Sequence, residues 1–301
     1  MSASAVRPAA LFLTAAALLA GCGTVTAGGG GPAAPSASAG PCGVPVERPL
    51  EGWVRDGVRI LAVNDACAEF EVTNAGSETA DFSVLFGWTG VGQRLHTSPT
   101  GTVPAVPPGA TVRGRVEQGT PNPARANASQ PPIIPNVKIS QVRSVPTAEA
   151  PSKAGPCPAS GVRLYADQGD SAMGLRVMGL HLVNCGTSPV TVNGYPQVQA
   201  LDEKHRPVDA LQVLKGGAAI ATGTGADTPP QRITLRTGEG AQAMVVWRNT
   251  NDNLAMDPVN APYLRVRATP DAAPVMVTPE LDLGTTGRLG VGAWVQESVT
   301  S

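Results

Sequence analysis

Hydrophobic and polar residues alternate with a repeat of two along many short stretches of this chain. In AEFEVTN (68–74), Phe70 and Val72 fall on one face, whereas Glu69 and Glu71 fall on the other. The same alternation recurs in the segments 81–86, 111–117, 178–182, 243–247 and 264–268. One apolar face and one polar face predict half-buried antiparallel strands.

Turn-forming residues separate these strands at short intervals. Asn74-Ala75-Gly76-Ser77, Pro107-Pro108-Gly109 and CGTSP (185–189) follow or precede alternating segments, and no stretch has the period of a long amphipathic helix. The 35 glycines and 29 prolines of the chain also favour short strands joined by turns. The sequence therefore predicts an all-β protein with two immunoglobulin-like antiparallel β-sandwich domains in tandem.

The N-terminus has the pattern of an export signal. Arg7 precedes the apolar stretch AALFLTAAALLA (9–20), which is shorter than the roughly 20 residues that a membrane-spanning helix needs. The stretch ends in LAGC (19–22), which resembles a bacterial lipobox. The resemblance implies that the signal peptide, residues 1–21, is removed and that Cys22 carries a diacylglycerol. We therefore expect an exported protein that is lipid-anchored to the outer face of the cell membrane, because two or more acyl chains bind a bilayer stably.

Two segments of biased composition divide the remaining chain. Residues 22–41 are mostly small and uncharged, which predicts a disordered tether. Residues 146–156 (PTAEAPSKAGP) are rich in proline, alanine and charge, which predicts a linker. We therefore expect a first β-sandwich domain at 42–145 and a second at 157–299.

Each expected domain contains two cysteines. Cys42 and Cys157 open the two domains, each directly after a proline, and Cys67 and Cys185 follow further along. In an exported protein four thiols are expected to form two disulfides. Three pairings are possible, and the pairing of Cys42 with Cys67 and of Cys157 with Cys185 keeps each bridge inside one domain. Metal binding by these thiols is not favoured, since there is no C-x-x-C and no histidine at ligand spacing.

The two domains contain similar strand-turn sequences. FEVTNAGS (70–77) parallels LHLVNCGT (180–187), and VPPGATV (106–112) parallels LRTGEGA (235–241) more loosely. Cys67 and Cys185, the second cysteines of the two domains, do not occupy equivalent positions in these segments. The sequence thus leaves open whether the domains are a true repeat or share only a strand-turn habit.

The second domain carries an ordered set of features that resembles a known family. The set consists of Cys157, Ala172-Met173-Gly174, the strand 175–184, Cys185, Asn193-Gly194-Tyr195-Pro196 and Leu201-Asp202. Over about 157–268 this pattern is similar to domain of unknown function 4232, which occurs in exported lipoproteins of high-GC Gram-positive bacteria. The resemblance implies a two-cysteine β-sandwich and implies no established activity. The first domain lacks both the Gly-Tyr-Pro and the Ala-Met-Gly sequence.

A serine hydrolase is the enzymatic alternative. Gly169-Asp170-Ser171 and Asp202-x-x-His205 are similar to elements of one esterase superfamily, in which Ser171 would be the nucleophile, His205 its base and Asp202 the orienting group. That superfamily places the two elements far apart in an α/β fold, whereas here about thirty residues separate them. DEKHRP (202–207) is also typical of a polar turn. We therefore predict no catalytic residues and no enzymatic activity.

An envelope metal-handling protein is a further alternative. The three histidines, His96, His181 and His205, are scattered, and NTNDNLAMD (249–257) lacks the glycine and glutamate of a helix-loop-helix calcium loop. The methionines do not form a Met-x-x-Met motif, and a copper site is therefore not favoured. The sequence predicts neither a metal site nor a cofactor.

Charge and loop composition limit the classes of binding partner that we expect. The 22 Lys and Arg nearly balance the 23 Asp and Glu without a basic run, which argues against a dedicated nucleic-acid binder. We expect a binding or structural role, with contact to the membrane through the lipid on Cys22 and to an envelope protein, the cell wall or a small ligand. The loops 119–135 and 216–230 are candidate contact surfaces, and their composition fits disorder equally well.

Overall fold

Strands account for nearly all of the regular secondary structure in the described part of this protein. The computed structural model describes residues 42–43, 45–64, 66–89, 96–118, 136–253 and 255–297, which contain 22 strands and one short 3-10 turn, Thr147–Glu149. The all-β class predicted from the sequence is confirmed. The signal peptide, Cys22, the tether and the loop 119–135 lie outside the described residues.

The strands fall into two groups along the chain. The first group comprises β1 (Val54–Arg55), β2 (Val58–Val63), β3 (Cys67–Thr73), β4 (Ala80–Thr89), β5 (His96–Thr97), β6 (Thr100–Val106), β7 (Thr111–Glu117) and β8 (Asn136–Pro146). The second group begins with β9 (Val162–Ala166), β10 (Asp170–Ala172), β11 (Leu175–Asn184), β12 (Val190–Asn193), β13 (Gln197–Leu201), β14 (Gln212–Lys215) and β15 (Arg232–Leu235). It continues with β16 (Gly240–Arg248), β17 (Asn260–Ala261), β18 (Tyr263–Arg267), β19 (Val275–Val277), β20 (Leu281–Asp282), β21 (Arg288–Val291) and β22 (Val295–Gln296).

Two four-stranded sheets share one core in the first group. One sheet has the order β1-β2-β3-β7, and in the other β4 pairs with β5, β6 and β8. Phe70 of the first sheet and Phe86 of the second are fully buried, with ring centroids 5.1 Å apart. The alternation along β3 explains this arrangement, because every second side chain points into the shared core.

The second group forms a seven-stranded sheet and three smaller sheets. β11 pairs along its length with β16, and β16 pairs in turn with β21 and β22. Apolar side chains from the large sheet and from the smaller ones form a single core, in which Trp294 is fully buried and donates its indole N–H to the Ala268 carbonyl at 3.0 Å. Among the described strand pairs only β14 with β21 is parallel. Sandwich-like packing is therefore present in both groups, and the immunoglobulin-like topology stays a prediction.

A buried asparagine closes the turn after β3 in the first group. The Asn74 side chain is 3% exposed. Its amide nitrogen donates to the carbonyls of Glu78 and Val106, both at 2.8 Å, and its amide oxygen accepts from the backbone N–H of Gly76 at 2.9 Å. Three hydrogen bonds thus satisfy a polar group that burial would otherwise penalise.

The second group repeats this arrangement after β11. Asn184 is fully buried, its amide nitrogen donates to the carbonyls of Ser188 and Leu235, both at 2.9 Å, and its amide oxygen accepts from the Gly186 N–H at 3.0 Å. Each bond has its counterpart around the asparagine of the first group. The two asparagines are the buried polar residues of the described chain.

The backbone around the two asparagines is also equivalent. Ala80 pairs with Val106 in the first group, and Val190, at the same distance after its own asparagine, pairs with Leu235 in the second. The N–H of Gly109 and that of Gly238 each donate to the carbonyl of the local asparagine, and both glycines have a positive φ, +71° and +85°. The two strand-turn segments are therefore one structural unit that occurs twice.

Side chains of the two groups meet at the end of β8. The Arg143 guanidinium donates to both carboxylate oxygens of Glu280, at 2.5 and 2.6 Å, and to Glu203 at 2.9 Å. It also lies over the ring of Tyr263, 5.7 Å from the centroid. Burial lowers the pKa of Arg143, but the hydrogen bond and charge of Glu280 outweigh it and leave the pKa raised. The guanidinium therefore stays charged at this junction.

An apolar contact and a second ion pair complete the junction. Val145 packs with Leu201, Tyr263 and Met276 in a small buried cluster. Within the segment 146–156, Glu149 accepts from Arg265 at 2.7 Å. Residues Pro41–Ser301 accordingly form one compact unit.

Candidate functional site

The three residues of the hydrolase alternative do not form a hydrogen-bonded set. Ser171 is exposed on β10, where it pairs with Arg176 of β11. The Nε2 of His205 lies 2.9 Å from the Ser144 carbonyl, across the junction between the two strand groups. In the part of the chain that the structure describes, no side-chain hydrogen bond joins Ser171, His205 and Asp202 to one another. The structure thus does not couple them as nucleophile, base and orienting group.

Asp202 closes a turn between β13 and β14. Its Oδ1 accepts from the backbone N–H groups of Lys204 and Arg206, at 2.8 and 2.9 Å, and its Oδ2 accepts from the Arg206 guanidinium at 2.7 and 2.9 Å. The backbone and side-chain hydrogen bonds from Arg206 are the main causes that lower the pKa of Asp202 from 3.8 to about 2. Both oxygens of the Asp202 carboxylate therefore accept their hydrogen bonds from within the turn.

We expect the Asp202 carboxyl to titrate near pH 2 in a carboxyl-detected NMR titration of the folded protein. The folded pKa lies below the unfolded one. The stability from this turn is therefore fully present above about pH 4 and is lost as the pH falls through about 2. Arg206→Gln keeps the backbone N–H but removes the guanidinium hydrogen bonds and charge, so it should raise the pKa part of the way towards 3.8. Lys204→Gln, which keeps its backbone N–H, should leave it unchanged. Equal pKa values in the two variants would contradict this assignment.

His181 lies between two carboxylates on the outer face of the large sheet. Its Nδ1 is 2.6 Å from Glu297 and its Nε2 is 3.2 Å from Asp167, while its ring stacks on Tyr165 with centroids 4.9 Å apart. Burial, followed by the charges of Glu297 and Asp167, raises the pKa of the Tyr165 hydroxyl. Both imidazole nitrogens are thus engaged within the protein.

The arrangement of the described residues around His181 does not provide the metal-binding cluster that a metal-handling protein would need. Across the described ranges, no group of three or more His, Cys, Asp and Glu side chains has the geometry to hold a metal ion. The polar segment around Asp252 contributes instead to the cavity described below.

The structure contains two disulfides, with the pairing that the sequence analysis proposed. Cys42 is joined to Cys67 with a Cα separation of 5.4 Å, and Cys157 is joined to Cys185 with a Cα separation of 5.6 Å. Cys67 begins β3, whereas Cys185 directly follows β11. Because β3 and β11 are equivalent strands, the two bridges attach to opposite ends of the repeated unit.

The segment 216–230, a candidate contact loop, packs over the outer face of the large sheet. Ala226 is fully buried, and Asp227 accepts from the backbone N–H of Gly217 at 2.8 Å. A Cβ at Gly217 would lie 2.8 Å from both Ala226 and Val246, so only glycine allows this close approach. The segment is therefore an ordered cover of the sheet and not an idle loop.

A cavity of about 590 Å³ opens beside this cover. The cover, the end of β16 with the loop that follows it, and the turn before β21 supply its walls. Arg248 and Arg288 lie in it, together with Asp252, three threonines and the half-exposed Met256. A volume in this range with a few convergent polar groups is typical of a site for a small molecule.

Strand register places the two arginines side by side. Trp247 of β16 pairs with Leu289 of β21 in antiparallel orientation, and the next positions outward are Arg248 and Arg288. The two arginines lie one position beyond the last paired residues of these strands, and both line the cavity. The Nε of Arg248 donates to the Ile220 carbonyl at 3.3 Å, which ties this guanidinium to the cover.

The opposite wall is fixed by hydrogen bonds among side chains and backbone. Thr285 Oγ1 lies 3.2 Å from Asp252 Oδ1 and accepts from the Asn253 N–H at 3.2 Å. Thr286 Oγ1 donates to the Leu283 carbonyl at 2.8 Å. These bonds hold the carboxylate of Asp252 at the cavity. The sequence of this segment, NTNDNLAMD (249–257), favours a polar turn over a calcium loop, and no local pattern in it predicts a cavity.

Comparison with known families gives a match in the second half of the chain. Residues 157–295 match the model of a domain of unknown function, DUF4232. The resemblance drawn from the sequence is thus confirmed, and it extends beyond residue 268 to include both arginines of the cavity. No curated protein matches the chain significantly in sequence. Within the described residues there is no helix of sufficient length and apolar character to cross a membrane.

Proposed function

We propose that this protein is an exported lipoprotein, anchored through a lipid on Cys22 to the outer face of the cell membrane, with a non-enzymatic binding role. The observation that carries the proposal is the pair of disulfides, one in each sandwich. Disulfides persist in oxidising compartments outside the cytoplasm. Together with the signal-like N-terminus and the sequence LAGC (19–22), they favour export followed by lipid attachment.

The binding role is supported by the cavity of the second sandwich. It has the size of a small-molecule site, and its walls include polar groups held on strands and hydrogen-bonded turns. Function is commonly carried by loops on a rigid scaffold. The ion pairs between Arg143 and Glu280 and between Arg265 and Glu149 tie the two sandwiches together, so that the lipid would hold both at the membrane surface.

Cys22→Ala is expected to abolish incorporation of labelled palmitate and to move most of the protein out of the membrane fraction, because the acyl chains provide the anchor. Labelling in producing cells followed by immunoprecipitation measures the first effect, and fractionation measures the second. Gly21→Ala is the matched control, since it keeps a small residue before the cysteine and should remain labelled. Equal palmitate labelling of wild type and Cys22→Ala would refute lipid attachment at this residue.

A further inference from the structure

Two arginines without an acidic partner lie together in the cavity of the second sandwich. Arg143, Arg176 and Arg265 donate to carboxylates, as many arginines of the described chain do. Arg248 donates only through Nε, to a backbone carbonyl, and Arg288 has no side-chain hydrogen bond or ion pair within the described residues. The terminal nitrogens of both guanidinium groups are therefore open to a ligand.

The positions of these arginines favour an anion between them. Like charges directly opposite on neighbouring strands destabilise a sheet. An oxyanion in the cavity would accept hydrogen bonds from both guanidinium groups and offset their repulsion, and guanidinium groups bind carboxylate and phosphate oxygens in a bidentate manner. Repulsion between the two guanidinium groups therefore destabilises the ligand-free protein, and binding of an anion relieves it.

Asp252 restricts which anions fit. One of its oxygens interacts with Thr285 at 3.2 Å, and the other has no hydrogen-bond partner in the described structure. A carboxylate at the wall repels a ligand that is anionic throughout, and it accepts a hydrogen bond from a ligand hydroxyl or amino group. Met256, 53% exposed, adds an apolar surface for a short carbon skeleton.

We propose that this cavity binds a small organic oxyanion, a phosphate or carboxylate held by Arg248 and Arg288, whose hydroxyl or amino group faces Asp252. The inference rests on the proposed binding function and names its ligand class. It does not depend on the lipid anchor.

Isothermal titration calorimetry of the purified full-length protein tests the inference with glycerol 3-phosphate, glycerate and neutral glycerol. We expect one or both anions to bind and glycerol not to bind. Binding of glycerol 3-phosphate alone assigns a phosphate ligand, and binding of glycerate alone assigns a carboxylate. Affinity should fall as salt is added.

Arg288→Gln should weaken binding of the anion at least about tenfold, because one charge-assisted contact is lost. Arg232→Gln, at an exposed position on β15 outside the cavity, is the matched control and should bind as wild type does. Without ligand, Arg288→Gln should unfold at the same temperature as wild type or a higher one, since the repulsion is relieved. The anion should raise the unfolding temperature of wild type more than that of Arg288→Gln.

Three outcomes would overturn the inference. They are the absence of binding by both anions, equal affinity of the two arginine variants, and binding of glycerol as tight as that of the anions. The last outcome would leave the proposed binding function in place, and palmitate labelling tests the anchor independently of all three.

Discussion

Replacing Asn184 with alanine is expected to lower the free energy of unfolding by about 3–5 kcal/mol. The change removes two donated hydrogen bonds and one accepted hydrogen bond from a fully buried position. It leaves the Leu235 carbonyl without its side-chain partner, and each buried group so orphaned costs about 1–3 kcal/mol. Asn74→Ala removes the equivalent three bonds in the first sandwich and should destabilise it similarly.

Denaturant unfolding followed by circular dichroism measures this effect. Asn193→Ala is the matched control, because Asn193 is exposed on β12 and should change the free energy of unfolding by less than about 0.5 kcal/mol. If Asn184→Ala and Asn193→Ala were equally stable, the three hydrogen bonds would not have the structural role assigned to them.

Removing the bridge between Cys157 and Cys185 is the second change with a large expected effect. The double alanine variant should lose about 3.5 kcal/mol of unfolding free energy, because the bridge limits the unfolded chain by closing a loop with a sequence separation of 28. The bridge between Cys42 and Cys67, with a separation of 25, should contribute nearly as much. Each loss is a large share of the roughly 5–15 kcal/mol that stabilises a typical domain.

The reference for this prediction is wild type treated with a reductant. Reduction should destabilise wild type by more than it destabilises the double variant, which retains one bridge. A double variant within about 1 kcal/mol of wild type would show that loop closure contributes little here.

Local alternation predicted the strands, whereas the disulfide pairing was predicted from the compartment and from the division into domains. Burial of Phe70 and Val72 follows from an alternation that a seven-residue stretch already contains. The pairing of Cys42 with Cys67 follows from export and from domain division. The parallel between FEVTNAGS and LHLVNCGT predicts a shared strand and turn, but it does not predict that the asparagine of each segment is buried.

Contacts between distant segments could not be predicted in this way. Arg248 and Arg288 become neighbours only through the register of β16 on β21. Arg143 meets Glu280 across a sequence separation of 137, and no local pattern marks either residue as part of a junction. The first sandwich contains the same buried-asparagine unit, although the family match begins at residue 157.

Lipid attachment and disulfide pairing can be tested together by peptide mapping with mass spectrometry under non-reducing conditions, on protein purified from the producing cells. We expect an N-terminal peptide that begins at a diacylglycerol-modified Cys22, together with linked peptides joining Cys42 to Cys67 and Cys157 to Cys185. Free thiols, a crossed bridge such as Cys42 to Cys157, or an unmodified Cys22 would contradict this expectation.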